Sequence, residues 1–342
     1  MIRKSISYVL NCRLENVMAV GFSAALLIFF SVTRMFRAFD FGMLDLIFIL
    51  VPVGILGLKS LLQLLFNSGT EEELDTGKFL ANFFQPFLKI LRDWFPFLLL
   101  CACYYSLYTN FILRVNPHKA DATLDRIDRH LTGHPASLLL EPFMNPWLTD
   151  FLQIIYFSHV IFFPGVALYF YMKKEEAKFR RLMMGFLTIM IMGTISYILV
   201  PAAGPAAFYA SQYTRDLNGH ALSKSVDFII ENGRVSFDCF PSLHVGIPLL
   251  LAFYMRDYRR RAFIPVLLYV ACMCFATLYL RYHYLVDVLA AFAYAPAAYF
   301  LNDFLLRHWP GERRSGLAAE IENKRSSSHG VTPAASQASP AE

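Results

Sequence analysis

The sequence predicts an all-α fold, a polytopic membrane helical bundle with about eight transmembrane helices and both termini cytoplasmic. Three observations support this prediction. Of the 342 residues, 56% are hydrophobic and only 17% are charged, whereas soluble domains carry about 25% charged residues. Apolar runs of nearly transmembrane length recur along the chain. Basic residues cluster between alternate runs, as the positive-inside rule expects.

Each predicted span is an apolar run close to the roughly 20 residues that a helix needs to cross the hydrocarbon core. The first run ends without the small residues of a signal-peptide cleavage site, so we predict that it is retained. The sixth is short and contains Pro248, which indicates a kinked or partly interfacial helix. The eight predicted spans cover residues 16–33, 43–66, 94–113, 148–172, 182–200, 242–255, 262–280 and 284–302.

The loops indicate the topology. With a cytoplasmic N-terminus, about twice as many Lys and Arg residues fall inside as outside. Loop 201–243 and the turn at 281–283 then share the non-cytoplasmic side.

We divide the chain into N-terminal transmembrane helices, a membrane domain that holds the candidate site, and a disordered cytoplasmic tail rich in Gly, Ser, Ala and Pro. Their predicted ranges are 1–115, 116–306 and 307–342.

Composition and spacing argue against several other classes. The net charge of +5 comes from short basic clusters between apolar runs, which is typical of membrane topology and not of nucleic-acid binding. The six cysteines, with only Cys239 in a long polar loop, show neither a disulfide framework nor a metal-ligand spacing. His130 and His134 are four residues apart, but Gly133 and Pro135 interrupt a shared helix. We therefore predict no nucleic-acid partner, no metal and no cofactor.

A short amphipathic helix is predicted in the outside loop after the third span. Leu124, Ile127 and Leu131 recur at helical spacing between charged residues, and Gly133 and Pro135 end the pattern. We expect this helix to lie in the membrane interface.

Two polar segments carry the candidate chemistry. In the first, Pro241 and Ser242 are good helix-start residues and precede the sixth span, so His244 falls in the first turn. The backbone N–H groups and the dipole of a helix N-terminus favour an anion such as phosphate.

In the second segment, His283 and Asp287 are four residues apart and therefore on one helix face. A carboxylate inside a membrane helix needs a partner. Asp287 would accept a hydrogen bond from one ring nitrogen of His283 and leave the other as a nucleophile. Arg281, at the same membrane surface, can neutralise phosphate charge.

Each segment alone also fits a structural role, as a helix start or as a His–Asp hydrogen bond. The predicted topology places both on one membrane face, and this coincidence favours a catalytic site.

The segments Phe240-Pro-Ser-Leu-His244 and His283-Tyr-Leu-Val-Asp287 resemble the second and third motifs of the type 2 phosphatidic acid phosphatase superfamily. With Leu243 in place of the usual Gly, they are similar to the branch of inositol phosphorylceramide synthases. The stretch from Pro201 to Pro205 resembles a Pro-rich element of that branch, and the segment from Leu124 to Pro135 fits its pattern. The resemblance covers roughly residues 120–300, within a phosphatase-like catalytic membrane domain.

The resemblance implies a role for each motif residue. His283 would attack phosphorus and form a phosphohistidine, while Asp287 would orient and stabilise it. His244 would protonate the leaving alkoxide and then act as base for the acceptor. No metal is implied. The implied phosphate-binding residues are Ser242, Arg281, Gly204 and Pro205.

The chain departs from the family pattern in two places. Ala276 and Thr277 stand where the third motif usually has Ser-Arg, and the first motif is not recognisable. Arg281, Arg215 or Arg234 would then have to supply the missing cation.

The sequence therefore predicts an integral membrane phosphotransferase with a periplasmic or lumenal active site and a lipid phosphate substrate. An alcohol acceptor such as inositol would make it a synthase, and water would make it a phosphatase. The lipid could be phosphatidylinositol, phosphatidic acid, a sphingolipid or a polyprenyl diphosphate. An alternative from a different functional class is a transporter or lipid binder, in which the intramembrane His and Asp relay protons.

Overall fold

The computed structural model describes residues 8–32, 76–108, 112–220 and 237–314. Within these ranges no strand occurs, and Ala202 and Asp238 form an isolated parallel bridge. This confirms the all-α prediction. In chain order the helices are α1 (Leu14–Val32), α2 (Thr76–Tyr108), α3 (Ile112–Val115), α4 (Asp121–Thr132), α5 (Ala136–Leu139), a 3₁₀ helix (Glu141–Phe143), α6 (Pro146–Met172), α7 (Glu176–Leu199), α8 (Pro205–Phe208), α9 (Leu243–Tyr258), α10 (Arg260–Tyr279), α11 (Leu285–His308) and α12 (Pro310–Arg314).

Four of the described helices are long and apolar enough to cross a bilayer, namely α6, α7, α10 and α11. They correspond to the fourth, fifth, seventh and eighth predicted spans, and their ends differ from the predicted ends by a few residues. The chain is thus an integral membrane protein.

The other four predicted spans have different outcomes. The first corresponds to α1, whose apolar part, Leu14–Phe29, is shorter than these four helices. The second lies outside the described residues. The third predicted span falls in the latter part of α2. This helix begins at Thr76, because apolar residues continue through a stretch that the topology prediction assigns to a cytoplasmic loop. The number of eight spans and the side of the termini stay predictions.

The sixth predicted span is α9, and it is short. Its 16 residues extend about 24 Å at 1.5 Å per residue, less than the roughly 30 Å of a hydrocarbon core. Pro248 lies inside it. The helix can begin deep in the protein only because the irregular backbone before it is enclosed by other helices.

Helix α7 lies at the centre and packs against α6, α9 and α11 as well as α1 and α2. Two of its glycines allow α9 to approach closely. A Cβ at Gly193 would lie 2.6 Å from Leu243 Cδ1, and one at Gly185 would lie 2.1 Å from Tyr254 Oη. Since neither contact tolerates a methyl group without movement, Gly193 helps to position the start of α9, next to His244, and Gly185 helps to position its last turns.

A buried ionic cluster fixes the opposite end of the bundle. Arg180 on α7 donates to Glu15 on α1 at 2.6 and 2.8 Å and to Glu312 on α12 at 2.6 Å. The adjacent Arg181 donates to both carboxylate oxygens of Asp303 on α11 at 2.8 Å. Buried charges require such pairing, so this cluster locks four helices together.

The structure describes only the first residues of the predicted tail 307–342, as far as residue 314. Residues 307 and 308 end α11, and α12 follows, with Glu312 buried against Arg180. The rest of the predicted tail, 315–342, lies outside the described residues.

We expect Arg181→Ala to destabilise the protein by about 3–5 kcal/mol, because it leaves the buried Asp303 carboxylate without its main partner. The measurement is thermal unfolding in detergent. Arg256→Ala is the matched control, since the side chain of Arg256 is half exposed and pairs with Asp257 at 3.4 Å; it should change stability by at most about 1 kcal/mol. Equal losses in the two variants would contradict the prediction.

Candidate active site

His244, His283 and Asp287 form a continuous chain of polar contacts where α9 and α11 begin. His244 Nδ1 lies 3.2 Å from His283 Nε2, and His283 Nδ1 lies 3.4 Å from Asp287 Oδ2. The side chains of His283 and Asp287 are 3% and 0% exposed. The three residues predicted to be catalytic are therefore neighbours, with the carboxylate on one ring nitrogen of His283 and the second imidazole on the other.

The contact between His283 and Asp287 is present, but our reason for it was wrong. His283 does not share a helix face with Asp287, because α11 begins only at Leu285. Asp287 instead reaches back from the first turn and accepts a hydrogen bond from the Tyr284 backbone N–H at 2.8 Å. The same oxygen faces His283, so the helix start itself brings the carboxylate to the ring.

The two motifs are joined through their backbones. Ser242 N donates to Asp287 O at 3.1 Å, and the hydroxyl of Tyr197 on α7 donates to Pro241 O at 3.2 Å. As predicted, Ser242 precedes α9 directly and His244 lies in its first turn. The Ser242 hydroxyl is buried and has no hydrogen-bond partner among the described residues.

The two residues that depart from the third motif have structural roles. Ala276 and Thr277, which stand where the family usually has Ser-Arg, are fully buried at the end of α10. The Thr277 carbonyl accepts hydrogen bonds from Tyr282 N at 3.0 Å and His283 N at 3.2 Å. This turn presents the His283 ring towards α9.

Cys239 contacts both members of the His–Asp pair, and the sequence analysis assigned it no role. Its Sγ donates to Asp287 Oδ2 at 2.9 Å and lies 3.6 Å from His283 Nδ1. The thiol and the imidazole therefore share one carboxylate oxygen. Contrary to our reading of the cysteines, three side chains with the donor atoms of a metal site lie together here, although their sequence positions show no ligand spacing.

Helix α4 supports the start of α11. The Asp128 carboxylate accepts from Leu285 N at 2.7 Å and from Val286 N at 2.8 Å. Burial raises the pKa of Asp128, although these two hydrogen bonds oppose the shift. Helix N-termini leave such N–H groups without helical partners, so Asp128 fixes where α11 begins and hence where Asp287 stands.

Asp121 lies on the same face of α4 as Asp128, and it holds the Pro-rich loop. It accepts from Gly204 N at 2.9 Å and from the Tyr284 hydroxyl at 2.9 Å. Pro205 begins α8, and Gly204 before it has a φ of +88°. The Gly204 N–H is thus already engaged with a carboxylate. Phosphate binding by Gly204 and Pro205 stays a prediction.

The buried face of α4 carries Asp121, Asp128 and Leu124, while Ile127 and Leu131 are exposed. The predicted amphipathic helix is therefore present, and its place in the membrane interface stays a prediction. The sequence signal for this face is the seven-residue interval between Asp121 and Asp128.

Arg281 is held by several protein groups. Its Nη2 donates to Arg215 O at 2.5 Å and lies 3.5 Å from Glu141, and the guanidinium lies 3.6 Å from the Tyr213 ring centroid. Burial lowers the pKa of Arg281. Its Nε is buried and has no partner among the described residues. The guanidinium thus fastens the loop after α8, and its predicted phosphate role stays a prediction.

The sequence offers two other candidate cations, Arg215 and Arg234. The Arg215 side chain donates to Pro142 O at 3.2 Å, and Arg234 lies outside the described residues.

An aromatic wall from α6 adjoins His244. The ring centroid of Tyr156 lies 4.5 Å from those of His244 and Tyr282, and that of His159 lies 4.2 Å from His244. His159 Nδ1 faces Tyr156 O at 2.6 Å. Sequence reasoning missed both residues because a single Tyr and His in an apolar span look like ordinary packing residues.

A comparison with protein families identifies the superfamily of this chain. The family profile described as PAP2 superfamily matches residues 122–301, more than half of the chain, and this range includes His244, His283 and Asp287. The chain belongs to the PAP2 superfamily. Its members are membrane phosphatases and phosphotransferases that act on lipid phosphates, so this protein is an enzyme of that type. No curated protein and no solved structure matches the chain. The narrower resemblance to inositol phosphorylceramide synthases stays a prediction.

We expect Asp128→Ala to lower the turnover rate by about 100-fold, because a misplacement of about 1 Å at a reacting group has an effect of that size. Asp128→Asn retains one acceptor oxygen and should lose less. Asp125→Asn is the control, since Asp125 lies on the same helix but bonds Arg129 and Tyr209. Initial rates with a lipid phosphate measure the effect. Unchanged turnover in Asp128→Ala would contradict it.

Stability should depend on pH through Glu141. Burial alone would raise the pKa of Glu141, but hydrogen bonds from Arg215 N and Thr214 N and the Arg281 charge outweigh it, so the pKa lies below the ordinary 4.5. A lowered carboxylate pKa stabilises the folded state above pH 4.5, and this stabilisation is lost as the pH falls through the folded-state value.

The measurement compares the unfolding temperatures of wild type and Glu141→Gln in detergent. Wild type should be more stable at pH 6–7, and the difference should shrink below about pH 4.5. A difference that stays constant down to pH 3 would mean that Glu141 does not fasten this loop.

Proposed function

We propose that this protein is a lipid phosphotransferase that works through a phosphohistidine on His283, moving a phosphoryl headgroup between lipids at the extracytoplasmic face. The observation that supports it best is the chain of contacts from Asp287 through His283 to His244. Such a chain leaves one imidazole nitrogen as nucleophile and places a second imidazole beside it.

In the first step His283 Nε2 attacks phosphorus. Asp287 accepts the Nδ1 hydrogen and thereby keeps the Nε2 lone pair free, and it stabilises the positive ring as the N–P bond forms. The bond between phosphorus and the leaving oxygen breaks, and His244 gives its proton to that oxygen. The 3.2 Å contact between the two rings is replaced by the substrate phosphate during this step.

In the second step the acceptor hydroxyl attacks the phosphorus. His244, now neutral, takes the acceptor proton, and the N–P bond breaks to regenerate His283. The protons balance over the cycle, because the one lost to the leaving group is recovered from the acceptor.

The phosphate oxygens have donors close to both histidines. The buried hydroxyl of Ser242 is unpartnered among the described residues, and the first N–H groups of α9 have no helical acceptor. A helix N-terminus favours an anion. We assign Arg281 to the same phosphate site, because its buried Nε is a further donor without a partner among the described residues. Gly204 and Pro205 are kept in the proposal on the resemblance alone, since the Gly204 N–H already bonds Asp121 and proline has no N–H.

The side of the membrane is inferred from the two ends of the bundle. The histidines lie where α9 and α11 begin, whereas Arg180, Arg181 and Arg259 lie at the opposite end. The cation-rich end is expected to be cytoplasmic. This supports a periplasmic or lumenal active site, and eight spans with both termini inside stay part of the proposal.

The proposal has two forms, which differ in the acceptor of the phosphoryl group. The resemblance carried by Leu243 favours an alcohol, with phosphoinositol as the headgroup and a sphingolipid as acceptor. With water as acceptor, the same residues would make a lipid phosphate or polyprenyl diphosphate phosphatase. Membership in an enzyme superfamily disfavours the transporter and lipid-binder alternatives.

The test uses purified protein in detergent with phosphatidylinositol or phosphatidic acid radiolabelled at phosphorus, with and without unlabelled ceramide or inositol as acceptor. Wild type should retain acid-labile, alkali-stable label on the protein. His283→Ala should lose this label and at least about 1,000-fold in rate, because the nucleophile is gone. His244→Ala should lose about 10²–10⁴-fold. His220→Asn is the control, since His220 is exposed and bonds Asp150.

Label in a new lipid that depends on an alcohol acceptor would identify a synthase. Release of free phosphate would identify a phosphatase. Turnover that survives His283→Ala would refute the phosphohistidine mechanism in both forms.

A further inference from the structure

Three buried donor atoms lie together beside the proposed nucleophile. Cys239 Sγ, His283 Nδ1 and Asp287 Oδ2 are separated by 2.9, 3.4 and 3.6 Å. Within the described residues, no other group of three His, Cys, Asp or Glu side chains brings its ligand atoms so close. We propose that these three residues bind one thiophilic divalent cation, zinc, and that the bound ion inhibits the enzyme. The inhibition, though not the binding, rests on the proposed function.

The separations fit a tetrahedral ion. Zinc binds thiolate sulfur at about 2.3 Å and imidazole nitrogen or carboxylate oxygen at about 2.0–2.2 Å, so ligand atoms around it lie about 3.3–3.7 Å apart. The distances from His283 Nδ1 to Asp287 Oδ2 and to Cys239 Sγ fall in or near this range. Only the sulfur–oxygen distance is short, because a thiol hydrogen bond joins those atoms; an ion in place of that hydrogen would need to separate them by about 0.5 Å.

The donor types and the charge also suit zinc. Thiolate, imidazole and carboxylate are its usual ligands, and three protein ligands leave a fourth position for water. One thiolate and one carboxylate balance the charge of the ion, which a buried site requires. On binding, the S–H bond of Cys239 breaks, its proton leaves to solvent, and a bond between sulfur and zinc forms.

Bound zinc would block catalysis through the tautomer of His283. An ion on Nδ1 needs the lone pair of that nitrogen, so the ring hydrogen moves to Nε2. The Nε2 atom then has no lone pair with which to attack phosphorus. Asp287 is drawn to the ion as well and no longer orients the ring. The same three residues therefore either prepare the nucleophile or, with zinc bound, protect the ring from reaction.

The binding test uses Cd²⁺ as the probe, because cadmium bound to thiolate has an ultraviolet charge-transfer band. Purified full-length protein in detergent is titrated with Cd²⁺ and then with a chelator. Wild type should show a band that chelation reverses. Cys239→Ser and Cys239→Ala should lose one thiolate equivalent of it, and His283→Asn should require at least tenfold more Cd²⁺. Cys272→Ser, a cysteine replacement on α10, is the control and should retain the Cys239 contribution.

Equal bands in wild type and both Cys239 variants would overturn the proposal. Elution profile and unfolding temperature establish that each variant is folded, and His283→Asn tests the site independently should a Cys239 variant fail.

The activity test titrates Zn²⁺ against phosphoryl transfer, with each variant normalised to its own metal-free rate. Wild type should be inhibited reversibly, and the zinc concentration for half inhibition should rise at least tenfold in Cys239→Ser. Inhibition of equal sensitivity in the two proteins would overturn the regulatory part. If wild type shows no turnover, the proposed function fails, whereas the cadmium titration still decides whether the metal site exists.

Discussion

The site depends on one interaction above the others, the hydrogen bonds from the N-terminus of α11 to the carboxylate of Asp128. These bonds are short, buried and charge-assisted, which makes them stronger than ordinary amide hydrogen bonds. They fix the first turn of α11, and that turn carries Asp287. Through Asp287 the constraint passes to His283 and from there to His244. A helix outside the two histidine motifs, α4, thereby sets the position of the proposed nucleophile.

A second constraint is depth. Tyr156 and His159, which adjoin His244, lie about 15–20 Å along α6 from its first residue at 1.5 Å per residue. The irregular segments before α9 and α11 therefore lie beside interior turns of α6, where they are enclosed by protein and unpaired backbone groups are very unfavourable. The structure pairs them internally, for example Pro241 O with Tyr197 and His283 N with Thr277 O.

Sequence reasoning found the two histidines and the aspartate because each stands beside a helix start or in a membrane segment, where a polar residue is expensive. It explained the His283–Asp287 contact by a helix face that does not exist, since a four-residue spacing cannot reveal that α11 begins between them. It overlooked Cys239, Asp121 and Asp128. Short polar residues are common in loops and interfacial helices, and their partners here are backbone groups more than 40 residues away in the sequence.

The sequence by itself determined the helical class, the membrane environment and the two motifs, because hydropathy, charge bias and local spacing are properties of neighbouring residues. Only the tertiary structure decided which polar groups contact the same atom. Asp287 Oδ2 is approached by His283, by Cys239 and by the Tyr284 N–H. Tertiary packing also decided that the Arg281 guanidinium holds a loop. Such convergence comes from packing between elements distant along the chain, and local patterns of sequence contain no information about the distances that result.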